Sequence, residues 1–422
     1  MNRIYFDQIE DDFYSFDGFE GISSVSEIIS EVKARGDEAI RDYTAMFGDG
    51  DIDDLQVSQE EIDIAFSKVS QEFIESVKKS IKNVETFAVA QLSSIKPLEI
   101  EIDYGQNSLE KSKLGHKIIP LERIGAYVPG GNYPLPSSAI MGVVPAKVAG
   151  VKEVIVCSPR IKPEVIVAAH LSGADKIYKI GGVQAIAAMA FGSSSVPKVD
   201  KIVGPGNKFV TQAKKEVYGV CGIDFLAGPS EVMIIADETA NPRFVAADML
   251  AQCEHDLDAR AYLVTTSEKL ADEVEIEINS FLKSLDTSEI ASKSIEKSTI
   301  ILVNSLEQAI EISNKKAPEH LEICLENSEI YIDKFTNYGS LFVGNYSAEV
   351  FGDYCSGTNH VLPTNGVARY SGGLSVFDFI KIQTYQVISK SDANNVLSQL
   401  SSLLASTEGL SAHKLSADLR IE

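Results

Sequence analysis

From about residue 120 onward the chain alternates short β-branched runs with helix-like stretches, and no other feature restricts its possible folds as strongly. Residues 154–157, 177–180, 202–203, 232–236 and 262–265 read as strands, with helical patterns between them. Such alternation predicts parallel α/β units, because a parallel neighbour can be reached only through a crossover. Glycine and proline cluster beside these runs in YVPGGNYP (127–134), GGVQA (181–185), GPGN (204–207) and GPSE (228–231). In open α/β sheets the loops at strand ends form the ligand crevice.

A chain of 422 residues, 44% of them hydrophobic, has material for two or more cores. The 38 basic and 61 acidic residues give 38 − 61 = −23, a charge that repels a phosphate backbone, so no nucleic-acid partner is expected. The densest basic pairs, Lys78–Lys79 and Lys214–Lys215, sit in helix-like stretches rich in glutamate and read as solvated faces. The start, MNRIYFDQIEDDF, carries acids where a secretory signal needs an apolar run, and no uncharged stretch is long enough for a membrane span. A cytoplasmic protein is therefore expected. Five scattered cysteines (157, 221, 253, 324, 355) form no CxxC pair and read as reduced, mostly buried thiols.

Residues 58–92 open with a capping-box pattern, Ser58 and Glu61, followed by apolar residues at helical spacing, which predicts one long amphipathic helix. The stretch after residue 379, helical over 393–404, holds too little apolar material for a core of its own and must pack on something else.

Six histidines supply the chemical candidates. In LAQCEHD (250–256), Gln252 and His255 would share a helix face and could converge on one ion, although such pairs are usually solvated. In KAPEHLEI (316–323), Glu319 and His320 offer a carboxylate and an imidazole for acid–base work, provided that an irregular turn after Pro318 lets neighbours face one way. The polar loop GDYCSGTNHVLPT (352–364) presents Asp353 and His360, and EGLSAHK (408–414) presents Glu408 and His413. His116 and His170 lack partner motifs, and Cys253 would point away from the Gln252 face with no evident base. A GxGxxG fingerprint is absent; the nearest match, Gly204 and Gly206, has Phe209 in place of the third glycine.

Taken in order, YVPGGNYPLPSSAIMGVVPAKVAG, GGVQAIAAMAFG, VGPGNKFV, DFLAGPSEV, AQCEHD, APEHLEI, FGDYCSGTNHVLPT, YSGGLSVFDF and EGLSAHK resemble the histidinol dehydrogenase family from about residue 20 to 415. The resemblance implies an NAD-dependent oxidation of L-histidinol via the aldehyde to L-histidine, with one Zn2+ per subunit. It implies zinc ligands Gln252, His255, Asp353 and His413, and further substrate contacts Ser230, His320, His360 and Glu408. Tyr127, Gln184 and Asn207 match the NAD contacts; His320 matches the base and Glu319 the carboxylate that activates water.

The fold implied is α/β, with two incomplete Rossmann-like domains and small terminal segments. Residues 1–20 form an N-terminal segment, 21–120 with 230–375 the catalytic domain, 121–229 the NAD domain, and 376–422 a tail reaching the partner's site in a homodimer. A paralogue acting on another small alcohol, such as a sulfonated diol, is the nearest rival; the trio Ser230, His360 and Glu408 speaks against it, since a carboxylate suits a cationic amino alcohol. A zinc-binding protein without turnover is disfavoured by intact Glu319 and His320.

Overall fold

A computed structural model describes residues 1–15, 22–48, 50, 52–104, 110–130 and 133–421. Gly131 and Asn132 of YVPGGNYP, and the expected boundary at residues 20 and 21, lie outside the described residues. In chain order the strands are β1 (Asn2–Tyr5), β2 (Leu98–Ile102), β3 (Ser112–Pro120), β4 (Arg123–Tyr127), β5 (Glu153–Cys157), β6 (Lys176–Tyr178) and β7 (Lys201–Val203). They continue with β8 (Gly222–Ile223), β9 (Glu231–Ala236), β10 (Arg260–Thr265), β11 (Thr299–Leu302), β12 (His320–Cys324), β13 (Ser340–Val343) and β14 (Ile380–Val387). The chain divides into one unit of Met1–Ala90 with Leu121–Phe379 and a second of Gln91–Pro120 with Ile380–Glu422.

The first unit holds two all-parallel sheets, ordered β6-β5-β4-β7-β8 and β1-β11-β10-β9-β12-β13. Apart from β1, which adds to the outer edge beyond β11, each begins at a central strand, β4 or β9, winds outward to one side and then returns to the other, so a switch point falls between β4 and β7 and between β9 and β12. This is the expected pair of Rossmann-like α/β halves. Their strands are buried on both faces, which is why they read as apolar runs; the side chains of Val154 to Cys157 and of Val232 to Ile235 are at most 1% exposed. Among the described residues no helix is long and apolar enough to cross a membrane.

Three expectations need correction. Residues 58–92 form two helices, Gln59–Lys68 and Gln71–Ser93: Val69 is extended, and the Ser70 hydroxyl accepts from the N–H of Phe73 to start the second. An internal serine cap outcompetes the apolar periodicity that runs through it. The Ser58–Glu61 capping box is present as read. Residues 21–120 divide: the helix Gln71–Ser93 does meet 230–375, through Ser80 on Tyr354 and Asn83 on Cys355, but the rest does not follow it. Val25, Ile28, Val32 and Ile40 share a core with Ile155, Tyr178 and Ile186 of the first sheet, and β2 and β3 belong to the second unit. Nor is Lys214 solvated. Its side chain is 3% exposed and paired with Asp224, itself 1% exposed.

That buried pair clamps the GPGN loop. Lys214 Nζ donates to the carbonyl of Gly204 at 3.0 Å, and the Asp224 carboxylate accepts from the N–H of Gly204 at 2.8 Å. Gly204 has φ +111°, and a Cβ there would lie 2.1 Å from the carbonyl oxygen of Tyr127, so only glycine fits and both of its peptide groups need a partner. Asp224→Ala would strand the ammonium in the core and should destabilise the fold by about 3–5 kcal/mol, and an Asp224→Leu/Lys214→Met double variant, though free of the stranded charge, should remain destabilised because the Gly204 N–H and carbonyl lose their partners. Urea unfolding of both variants checks this.

The second unit pairs β14 and β2 antiparallel on either side of β3. Its helices Ser398–Thr407 and Ser411–Asp418 expose Leu403, Leu404 and Leu415, Leu419 just after them is exposed too, and its buried apolar side chains among the described residues are Ala405 and Ala417 alone. Hydrogen bonds among Ser112, Ser389 and Asp392 replace an oily centre. The lack of an internal core, expected from composition, is seen directly.

Candidate functional site

Glu319 and His320 stand at the amino end of β12. The helix Leu306–Lys316 ends at Ala317 in a left-handed conformation, φ 56°, and the turn through Pro318 delivers both side chains into one buried space. Here two sequence neighbours can face each other because Glu319 is not yet in the strand; its Oε2 lies 3.7 Å from His320 Nδ1. The required irregular turn exists.

The hydrogen-bond network sets the state of each group. His320 Nδ1 lies 3.3 Å from the carbonyl oxygen of Glu231, which can only accept, so Nδ1 carries a proton in both the neutral and the charged ring and Nε2 is the nitrogen that gains and loses the second proton. Nε2 is buried without a hydrogen-bond partner; Asp353 Oδ1 is 3.6 Å away, an ion-pair distance. Burial opposes charge on this imidazole, but the carboxylates of Glu319, Glu349 and Asp353 outweigh it and hold His320 well above the usual range. Burial pushes the Glu319 carboxyl up to about 8, against the pull of His320 and of the Glu231 N–H that donates to its Oε2 at 2.9 Å. The Asp353 carboxyl is raised by burial and lowered more by His320, ending below the ordinary carboxylate range.

Gln252 comes into the same network. It occupies the last turn of the helix Pro242–Cys253, fully buried, and with its amide assigned so that both ends find partners its oxygen accepts from the N–H of Glu231 at 3.1 Å, beside the oxygen of Glu319 on the same donor. His255 does not share its helix face, because the helix ends at Cys253; His255 lies in the following turn and is exposed. His360 contacts the carbonyl oxygen of Asp353 through Nδ1 at 2.8 Å, with Nε2 3.4 Å from the Ser138 hydroxyl, and burial keeps it below the usual imidazole range. Ser230 precedes β9 in a loop pinned by Gly228 N–H to Thr364 and Asn365 N–H to Glu231. Glu408 follows the helix Ser398–Thr407 and His413 lies in Ser411–Asp418; both are exposed. Among the described residues no group of three or more His, Cys, Asp or Glu side chains converges as a ready-made metal site.

Cys253 is buried in the core beside Ser298, its thiol raised by burial, which suits the rejection of a thiolate nucleophile. Sequence reading missed Glu231, Glu322 and Glu349, all buried around His320. A glutamate inside the apolar run HLEIC was the available signal for Glu322; Glu349 carried none.

The glycine loops divide between two edges. Tyr127, Gly182, Gln184 and Gly204 to Asn207 lie at the carboxyl edge of the first sheet, where β4 and β7 part. Tyr127 accepts from the N–H of Gly182 at 3.0 Å, Gln184 Oε1 is buried without a partner, and Asn207 caps the helix Lys208–Val217. GPSE, however, lies at the amino edge of β9, as do Glu319 and His320 on β12, so the acid–base site sits opposite to the crevice that the sheet rule indicates.

Paired Rossmann-like sheets, with a buried carboxylate–imidazole pair on one and glycine-rich loops at the switch point of the other, define a protein of the α/β class. A family model described as histidinol dehydrogenase matches residues 17–421. Proteins named histidinol dehydrogenase are similar throughout. That of Streptococcus mutans is 44% identical, covering 99% of this chain and 96% of its own, and that of Methanosarcina mazei is 46% identical, covering 92% and 89%. A crystal structure of histidinol dehydrogenase from Elizabethkingia anophelis superposes with TM-score 0.91 at 38% identity, covering 100% of this chain and 98% of that one. The chain belongs to the histidinol dehydrogenase family and is an oxidoreductase.

Proposed function

We propose that this enzyme oxidises L-histidinol through the aldehyde to L-histidine, the closing steps of histidine biosynthesis, with one zinc ion and NAD. The observation that carries the reading is the buried Glu319–His320 pair with its unpartnered Nε2, in a chain of this family.

The residues present fit both groups. Gln252 oxygen, the Asp353 carboxylate and the imidazoles of His255 and His413 form an all-nitrogen-and-oxygen donor set suited to zinc. Asp353, held below the ordinary carboxylate range, is anionic as a ligand must be. The orphaned Gln184 Oε1, beside Tyr127 and near the Asn207 loop, is an acceptor kept for a ligand in the switch-point crevice. When bound, zinc supplies a fixed hold on the substrate's imidazole and amino nitrogens, and NAD supplies the hydride acceptor.

In its neutral form His320 takes the alcohol proton at Nε2, because the Glu231 carbonyl keeps the remaining ring proton on Nδ1. Glu319 then draws a proton from water as it adds to the aldehyde while His320 returns its proton to the aldehyde oxygen, so that the imidazole is neutral again and can take a proton from the diol as the second hydride leaves. His360 and Ser230 line the substrate space, with Glu408 facing the cationic substrate. Exposed leucines on a coreless tail support a homodimer in which Glu408 and His413 complete the partner's site.

Assay of NADH from histidinol tests this: two NADH per histidinol are expected, with no stoichiometric free aldehyde. Chelation should abolish turnover while circular dichroism stays native, since neither parallel sheet depends on the metal. No NADH from histidinol, with NADH from a sulfonated diol, would overturn the reading. Because Glu319 ionises only near pH 8, the aldehyde-consuming half should accelerate as pH rises through about 8, and this rise should vanish in Glu319→Gln.

A further inference from the structure

Behind the catalytic pair lies a carboxylate that the reaction does not use. Glu349, 0% exposed, opens the helix Glu349–Tyr354, one turn before Asp353. The Gln252 amide donates to Glu349 Oε1 at 2.8 Å and lies 3.2 Å from Oε2. The amide is assigned so that both ends find a partner, which puts its oxygen 3.1 Å from the Glu231 N–H, a donor shared with Glu319 Oε2 at 2.9 Å. Glu349 is itself held, its N–H donating at 2.8 Å to Glu322 Oε1, two residues beyond His320 on β12.

We propose that Glu349 is a positioning residue that locks the side-chain amide of Gln252 so that its oxygen, rather than its NH2, is presented for metal binding. The inference rests on the reading of Gln252 as a ligand. An amide is nearly symmetric in shape, and only its partners decide which end faces a cation; an NH2 turned inward would repel it. Glu349 supplies the acceptor that the NH2 needs, and the peptide of Glu231 a donor for one lone pair of the oxygen, which leaves the other for a cation. The geometry also ties two ligands together, since Glu349 and Asp353 are one helical turn apart, so the helix that orients Gln252 also carries Asp353. Partners of this kind typically govern metal affinity by 10- to 100-fold.

Zinc affinity of the full-length enzyme, measured by competition with a chromophoric chelator, tests the proposal without recourse to activity. Glu349→Gln keeps the shape but can offer its own NH2 to the Gln252 oxygen, and should weaken zinc 10- to 100-fold; Glu349→Asp, too short to reach, serves if the first variant does not fold. Gln252→Ala should weaken zinc at least as much, and adding Glu349→Gln to it should bring no further loss. A Glu349 variant with unchanged affinity, beside a weakened Gln252→Ala, overturns the positioning role alone. Additive losses in the double variant also overturn it, because Glu349 would then act by another route. Unchanged affinity in Gln252→Ala removes the ligand reading and the proposal with it.

Discussion

His320→Ala will slow both the alcohol- and the aldehyde-consuming halves by about 10²–10⁴-fold, the usual worth of a positioned general base. The expectation follows from geometry. Nε2 is the one buried ring nitrogen left without a hydrogen-bond partner in the pair, and Nδ1 is committed to the Glu231 carbonyl. A base at that atom serves each hydride departure, so both halves must suffer. Glu319→Gln should behave differently: it retains an acceptor for the Glu231 N–H but cannot take a proton from water, so oxidation of supplied aldehyde should fall far more than oxidation of the alcohol. Single-turnover NADH bursts from alcohol and from aldehyde separate the two. Equal losses in the Glu319 variant would sink its assignment to water activation.

The second large effect concerns the tail. Homodimers of His320→Ala and of His413→Ala should each be inactive, and unfolding and refolding them together should restore roughly a quarter of wild-type activity. Random pairing makes half of the dimers mixed. In each mixed dimer the body that retains His320 meets the tail that retains His413 once, while the other site carries both lesions. If each tail served its own body, every site would keep one lesion and the mixture would stay as inactive as its parents. The unit that carries His413 buries only Ala405 and Ala417 among its described apolar side chains, which is why association, and not internal packing, is expected to hold its helices.

Much of this was legible in the one-dimensional chain. Alternating β-branched runs fixed the parallel α/β class, because strands buried on both faces must be apolar along their length, and β5 and β9 are. The motifs carried the family and drew attention to Glu319 and His320. Their being neighbours, which on a regular strand would part them, is reconciled by the left-handed Ala317 and Pro318 just before β12. Other features depended on long-range contacts that no local pattern encodes. Lys214 looks like any solvated lysine until Asp224 and the Gly204 peptide surround it. Ser70 breaks a helix through one hydroxyl against an unbroken apolar period. The amino-edge location of the acid–base site arises because the helices Pro242–Cys253 and Leu306–Lys316 return the chain to that edge, bringing Gln252 and Glu319 onto the single N–H of Glu231. Sequence determines which groups are available; only the fold decides which of their buried atoms are left without a hydrogen bond, as His320 Nε2 and Gln184 Oε1 are.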